Sequence, residues 1–243
     1  MMKISLKYLF FFVTILWAMP SLAQKNVIQE CDSLMRLLPL AKHDTVKIRL
    51  LDQIATTWNS RNPAKARQYF DQAIAITKQS NNSKLLIGLM IGKGNSYSTT
   101  GESAKAIQIL QEAIRLADPT KDKYAIPYAQ EFIGLAYQSQ GDFDNAVIYA
   151  KLCYNFCEDE FKKKGNNHDG GPNSVMEGII GSNMTLGSIY IDLGKLDSAQ
   201  YYLKEAHQLL KTTKNNNRYF TFFIPKSLAT IYLKKQNTKQ AKA

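Results

Sequence analysis

Apolar residues along this chain recur every three or four positions, which is the period of an amphipathic α-helix and not the alternation of a strand. Ile107, Leu110 and Ala113 form one such stripe. Glycine or proline punctuates the pattern at intervals, at the points where helices end and begin. The pattern therefore predicts an all-α protein built from helix-turn-helix units.

A fixed frame of residues repeats through the chain. It consists of a small residue, an aromatic residue three positions later, a glycine four positions after that and an alanine five positions after the glycine. The defining residues are Trp58, Ala66 and Ala73 in a first, partial copy; Gly94, Tyr97, Gly101 and Ala106; Gly134, Tyr137, Gly141 and Ala146; Gly187, Tyr190, Gly194 and Ala199; and Tyr232 in a last copy. Repetition at steps of this length is typical of solenoid proteins.

Each position of the frame has a physical reason. The small residue lets a neighbouring helix approach closely while the aromatic ring fills the space beside it. The glycine is expected to end the first helix in a left-handed conformation that other residues adopt at a cost. Asp142 is placed to cap the helix after Gly141, and Asn62 followed by Pro63 has the same role in the first copy.

This frame resembles the tetratricopeptide repeat (TPR), and the resemblance covers residues 44–243. It implies a right-handed α-solenoid of antiparallel helix pairs, with about five repeats, after an N-terminal helix or linker at residues 24–43. We expect the last copy to turn at Gln236 and to break off in its second helix, which leaves an apolar flank exposed. The family binds peptides or protein segments in a concave groove, and the resemblance implies the same here.

A narrower resemblance lies in residues 44–66, from Asp44-Thr45-Val46-Lys47 through Trp58 to Asn62-Pro63-Ala64-Lys65-Ala66. This stretch is similar to the exported TPR sensor region of bacterial membrane-bound histidine kinases. It implies a sensory role, either in a fragment of such a receptor or in a stand-alone relative.

The groove of such a solenoid is lined by residues just after the small residue of each first helix. They are mostly amides and hydroxyls, which can bond to the backbone of an extended peptide. The predicted groove residues are Asn59, Asn95, Ser98, Gln138, Asp192 and Lys234. The alternative is that this face is an ordinary solvated surface.

The chain begins with the pattern of a secretory signal. Two lysines precede an apolar run of about a dozen residues, and small residues stand at the cleavage positions near Ala23. We expect residues 1–23 to be removed and the mature protein to be exported to the periplasm.

Positive charge is concentrated at the other end of the chain. The net charge is +11, and from Lys204 onwards Glu205 is the only acidic residue among many lysines. This end is either a solvated basic surface or a site for an acidic partner or an anionic membrane. Export makes nucleic acid an improbable partner, and the incomplete last repeat is a candidate surface for a homodimer.

The sequence carries no motif for catalysis, for a cofactor or for a metal. Cys153 and Cys157 lie one helical turn apart and are interpreted as small packing residues, with a zinc site as the weaker alternative. Cys31 is expected to be an exposed thiol. Residues 158–173 lengthen one repeat and are interpreted as a loop insertion, either tolerated or serving as a partner-specific arm.

Overall fold

The computed structural model describes residues 28–80, 82–117, 124–164, 175–212 and 217–242, and every regular element in these ranges is a helix. The prediction of an all-α protein is therefore confirmed for this part of the chain. Helix α1 covers residues 28–37 and runs into a short 3₁₀ turn, Leu38–Leu40. The later helices are α2 (Asp44–Asn59), α3 (Pro63–Gln79), α4 (Ser83–Ser98), α5 (Ser103–Leu116), α6 (Ala125–Gln140), α7 (Phe143–Lys164), α8 (Val175–Asp192), α9 (Leu196–Thr212) and α10 (Arg218–Lys242).

The chain divides into two compact units between Asn82 and Ser83. In the first unit, α2 and α3 form one helix pair. The side-chain oxygen of Asn62 accepts a hydrogen bond of 3.0 Å from the backbone N–H of Lys65, and Pro63 is the first residue of α3. The predicted N-cap is thus confirmed, and Ala66 and Ala73 lie fully buried on the face of α3 that it positions.

The second unit is a stack of helix pairs, α4 with α5, α6 with α7 and α8 with α9, followed by α10. Each helix packs on the next, and the first helices of the pairs also contact one another, α4 with α6, α6 with α8 and α8 with α10. Because each pair buries its apolar face only against its neighbours, this is the packing of an α-solenoid, as predicted.

The three predicted glycine turns share one geometry. Gly101, Gly141 and Gly194 have φ values of 75°, 78° and 69°. In each turn the residue after the glycine donates its backbone N–H to the carbonyl of the frame tyrosine, at 2.9–3.0 Å, which satisfies a carbonyl that the helix end leaves unpaired. The second helix of each pair begins two residues after the glycine, at Ser103, Phe143 and Leu196.

The small residues of the frame lie where two helices approach most closely. A Cβ atom added at Gly94 would lie 2.6 Å from Cγ of Leu110, and one added at Gly134 would lie 3.2 Å from backbone atoms of α7. Beside these contacts Tyr137 stacks on Tyr149 with ring centroids 5.5 Å apart. At these positions the small residue admits the paired helix and the aromatic ring packs beside it, as the frame predicts.

The predicted turn at Gln236 is wrong, because α10 continues without interruption to Lys242. The earlier turns depend on a glycine with positive φ, and Gln236 offers no such conformation at low cost. The expected apolar flank is present, since Phe222, Tyr232 and Leu233 of α10 are 55–62% exposed.

Two smaller expectations are also corrected. Cys31 is fully buried and not exposed; Met35, one turn later on α1, accepts a hydrogen bond from the Tyr69 hydroxyl of α3, so this side of α1 faces α3. The insertion predicted at residues 158–173 is not a loop from its start, because α7 extends to Lys164. Residues 165–173 of that insertion lie outside the described part of the chain.

The glycine turns give a test that separates backbone conformation from packing. A Cβ at Gly141 would contact nothing within 4 Å, but its φ of 78° disfavours alanine, so Gly141→Ala is expected to lower the free energy of unfolding by about 1 kcal/mol. Gly88 also has open space around it but lies inside α4, where Gly88→Ala is expected to raise that free energy by about 0.5–1 kcal/mol. Urea denaturation of both variants measures the difference, and equal effects would contradict the assigned turn geometry.

Candidate peptide-binding face

The predicted groove residues Gln138 and Asp192 are brought together by the packing of α6 on α8. The Gln138 side-chain amide donates to Oγ of Ser188 at 2.9 Å and to the Asp192 carboxylate at 2.6 Å. Both acceptors lie near the C-terminal end of α8. We call this surface of α4, α6 and α8, which carries Asn95, Ser98, Gln138 and Asp192, the first-helix face.

The other predicted groove residues are placed less directly. Ser98 donates its hydroxyl to the carbonyl of Gly94 in its own helix at 3.3 Å, and Asn95 is half-buried on α4. Asn59 belongs to the first unit, where its side-chain oxygen is buried without a hydrogen-bond partner among the described residues. Lys234 is exposed on α10. Of the six predicted residues, Gln138 and Asp192 are joined by a hydrogen bond.

Sequence analysis missed a carboxylate on the same side of α6. Glu131 lies two helical turns before Gln138 and is only 7% exposed. Thr185 of α8 donates to one carboxylate oxygen at 3.2 Å, and the Cys153 thiol of α7 lies 4.0 Å from the other. A Cβ at Gly181 would lie 2.9 Å from that carboxylate, so this glycine makes room for the acid between α6 and α8.

The titratable groups that the described residues place near Glu131 are tyrosines, thiols and a second carboxylate. They are Tyr128 on α6, Cys153 and Cys157 on α7, and Tyr219 on α10, with Glu177 of α8 beside Tyr128. Burial raises the pKa of Glu131 to about 7, against the hydrogen bond from Thr185, which lowers it. Burial likewise raises the pKa of Tyr128, and the Cys157 and Glu131 side chains raise it further.

A signal for Glu131 exists in the sequence. The residue is the one charged side chain of α6 and stands three positions before Gly134, so the helical period places it near the buried side of the helix. The helical period does not identify the residue that contacts Glu131, since Thr185 lies 54 residues away on α8.

Cys153 and Cys157 are buried free thiols, 1% and 2% exposed. The space beside Gly178 of α8 is filled by the sulfur of Cys157. A hydrogen bond with Cys157 and burial hold the pKa of the Cys153 thiol well above its ordinary value. The interpretation of these residues as small packing residues is confirmed; His168, considered with them, lies outside the described residues.

Two further findings concern the described ranges only. No helix there is both long enough and apolar enough to cross a membrane. No three His, Cys, Asp or Glu side chains there lie together in a way that could hold a metal ion.

The buried carboxylate predicts a pH-dependent stability. Because the pKa of Glu131 rises from 4.5 to about 7 on folding, the folded state holds a proton that the unfolded state has released between these values. Stability is then highest below pH 4.5 and falls as the pH rises to 7. Glu131→Gln is expected to remove this fall, and to stabilise the protein at pH 8 by up to about 3 kcal/mol.

Urea denaturation at pH 5 and pH 8 measures the effect of Glu131→Gln. The matched control is Glu205→Gln, which removes an exposed carboxylate of α9 and is expected to leave the pH difference of the wild type in place. A wild-type-like fall in Glu131→Gln would contradict the assignment.

Three segments of the chain match a known family model. Residues 87–119, 128–160 and 180–209 match the tetratricopeptide repeat family model. These segments correspond to the pairs α4–α5, α6–α7 and α8–α9, so the match falls where the frame predicted TPR-like repeats. No curated protein matches the sequence significantly.

Solved structures share this fold at low sequence identity. A Rap protein in complex with Competence and Sporulation Factor is 19% identical, with 84% of this chain covering 55% of that chain at a TM-score of 0.66. BtubC (BKLC) from P. vanneervenii is 14% identical, with coverage of 89% and 87% and a TM-score of 0.61. The apo form of RapI is 12% identical at a TM-score of 0.54, with 84% of this chain covering 54% of that chain. The chain therefore spans about half the length of the Rap proteins that it resembles.

Proposed function

We propose that this protein is a non-catalytic binding module that holds a peptide or protein segment on its first-helix face. The observation that carries the proposal is the bridge from Gln138 to Ser188 and Asp192. It aligns amide, hydroxyl and carboxylate groups across two neighbouring first helices. The amide and the hydroxyl can each donate and accept a hydrogen bond, and the carboxylate can accept one. All three can therefore form hydrogen bonds with the backbone of an extended peptide instead of with each other.

The comparisons support the proposal at the level of the fold. TPR repeats occupy the second unit, and one similar structure is a Rap protein complexed with Competence and Sporulation Factor. The side chains of the first-helix face are compatible with a ligand recognised through its backbone, since Asp192 is the one charged residue of the set that defines it.

A library of displayed peptides of about 12 residues tests this function. Peptides that bind the wild-type protein are expected to bind at least about tenfold more weakly, a loss of about 1.4 kcal/mol, to a variant with Asn95→Ala and Gln138→Ala. The reason is the loss of amide groups that pair with the peptide backbone. Isothermal titration of the selected peptides measures the change.

The chain offers a matched control in Gln111→Ala and Asn155→Ala. These are exposed amides on the second helices α5 and α7. This control variant is expected to keep wild-type affinity. If both variants bound alike, or if the library yielded no binder, the first-helix face would not be the binding site.

Export and a sensory role are the finer parts of the proposal. The N-terminal signal pattern supports export, and the similarity of residues 44–66 to histidine-kinase sensor regions supports signalling. A role as the input region of a two-component receptor is the alternative to a stand-alone scaffold.

On expression in a bacterium, the periplasmic protein is expected to begin at Gln24, as measured by mass spectrometry. Ala23→Asp should block this processing, since signal peptidase requires a small residue there; uncleaved wild-type protein in the cytosol would contradict export.

A further inference from the structure

Helix α10 exposes an apolar face along its length. Phe222 is 61% exposed and Tyr232 is 55% exposed, and Ala229 between them is also exposed. These three residues are spaced seven and three positions apart, so they lie on one side of the helix. We call them the receiving face of α10.

The same three frame positions are covered in the earlier first helices. Ile87, Pro127 and Ile180 stand where Phe222 stands, and all are buried. Gly94, Gly134 and Gly187 stand where Ala229 stands, and the second helix of each pair packs on them. Tyr137 and Tyr190 stand where Tyr232 stands, and each stacks on a tyrosine of its second helix at 5.5 Å.

The helix pairs α4–α5, α6–α7 and α8–α9 show what kind of helix packs on these positions. The second helices present a small residue, an apolar residue four positions later and a small residue three after that, as in Ala199, Leu203 and Ala206 of α9, all fully buried. Leu203 fills the space beside Gly187, and Tyr202 stacks on Tyr190. On α10, Ala229 is small enough to accept the same close approach.

The positive charge of α10 adds a second requirement for the helix that binds it. Helix α10 contains no acidic residue, and the Lys226 ammonium lies 5.8 Å from the rings of both Phe222 and Phe223. A partner whose flanks are acidic would be attracted to this face, whereas α10 of a second copy would be repelled by it.

We infer that the receiving face of α10 docks an amphipathic helix from a partner protein, one with a small–apolar–small stripe and acidic flanks, in the way that α4, α6 and α8 each hold their second helix. This surface is distinct from the first-helix face, and the inference does not depend on the function proposed for that face. The mode of binding is helix-in-groove recognition, with ring stacking against Tyr232 as its anchor.

The protein itself supplies the probe. A fluorescent peptide with the sequence of α9, Leu196–Thr212, carries the required stripe, and its binding to the full chain can be measured by fluorescence anisotropy and by the gain of helical circular dichroism. Binding is expected, and the same peptide with Leu203→Asp is expected not to bind. A peptide with Lys204→Glu and Lys211→Glu is expected to bind several-fold more tightly at low salt, with the gain lost at high salt.

Variants of the protein locate the site. Phe222→Ser with Tyr232→Ser is expected to weaken binding at least about tenfold. Both side chains are exposed, so the helical circular dichroism should stay unchanged. Ile148→Ser is the matched control, because it removes a side chain that is 53% exposed on α7, and it is expected to keep full affinity.

Three results would overturn the inference. The first is an α9 peptide that does not bind, or that binds the Phe222→Ser, Tyr232→Ser variant as it binds the wild type. The second is self-association in sedimentation velocity that this double variant abolishes, since a second copy would then occupy the face. The third is sedimentation with phosphatidylglycerol vesicles that depends on Phe222 and Tyr232 and excludes the peptide.

Discussion

Close approach of two helices at a residue without a side chain is the constraint on which the second unit depends. At Gly94 and Gly187 a leucine of the paired helix occupies the space that a Cβ would need. Beside Gly134 and Gly187 the frame tyrosine stacks on a tyrosine ring of the paired helix. Because the same contact recurs in each pair, the pairs stack in a regular way and the first helices come to lie side by side.

The stacking of first helices creates polar contacts that no single repeat contains. Gln138 of α6 reaches Asp192 of α8 at one end of this seam, and Thr185 of α8 reaches Glu131 of α6 two turns earlier. One contact is open to solvent and is suited to exchange with a ligand. The other is buried, and this burial raises the pKa of the Glu131 carboxyl.

Helix α10 buries one side of the frame and exposes the other. Its inner side, with Ile224 and Ile231, joins the core of α8 and α9. Its outer side displays the features that the other first helices bury. Tyr232 is exposed at the frame position where Tyr137 and Tyr190 stack on a second helix. Lys226 lies beside the exposed ring of Phe222.

Local rules let the sequence alone determine the helices, their caps and their turns. The cap at Asn62, the left-handed Gly141 and the small residue at Gly134 each act within one turn or one helix pair, so their residue types suffice to predict them. At Gln236 the repeat pattern predicts a turn, whereas the residue type, which lacks the conformational freedom of glycine, favours the continuous α10 that forms. Only the tertiary structure decided the burial of Cys31, the environment of Glu131 and the bridge from Gln138 to Asp192. The physical reason is distance along the chain: these side chains meet partners on other helices, 54 residues away for both Gln138 and Glu131, and helical periodicity defines a face without saying what lies against it.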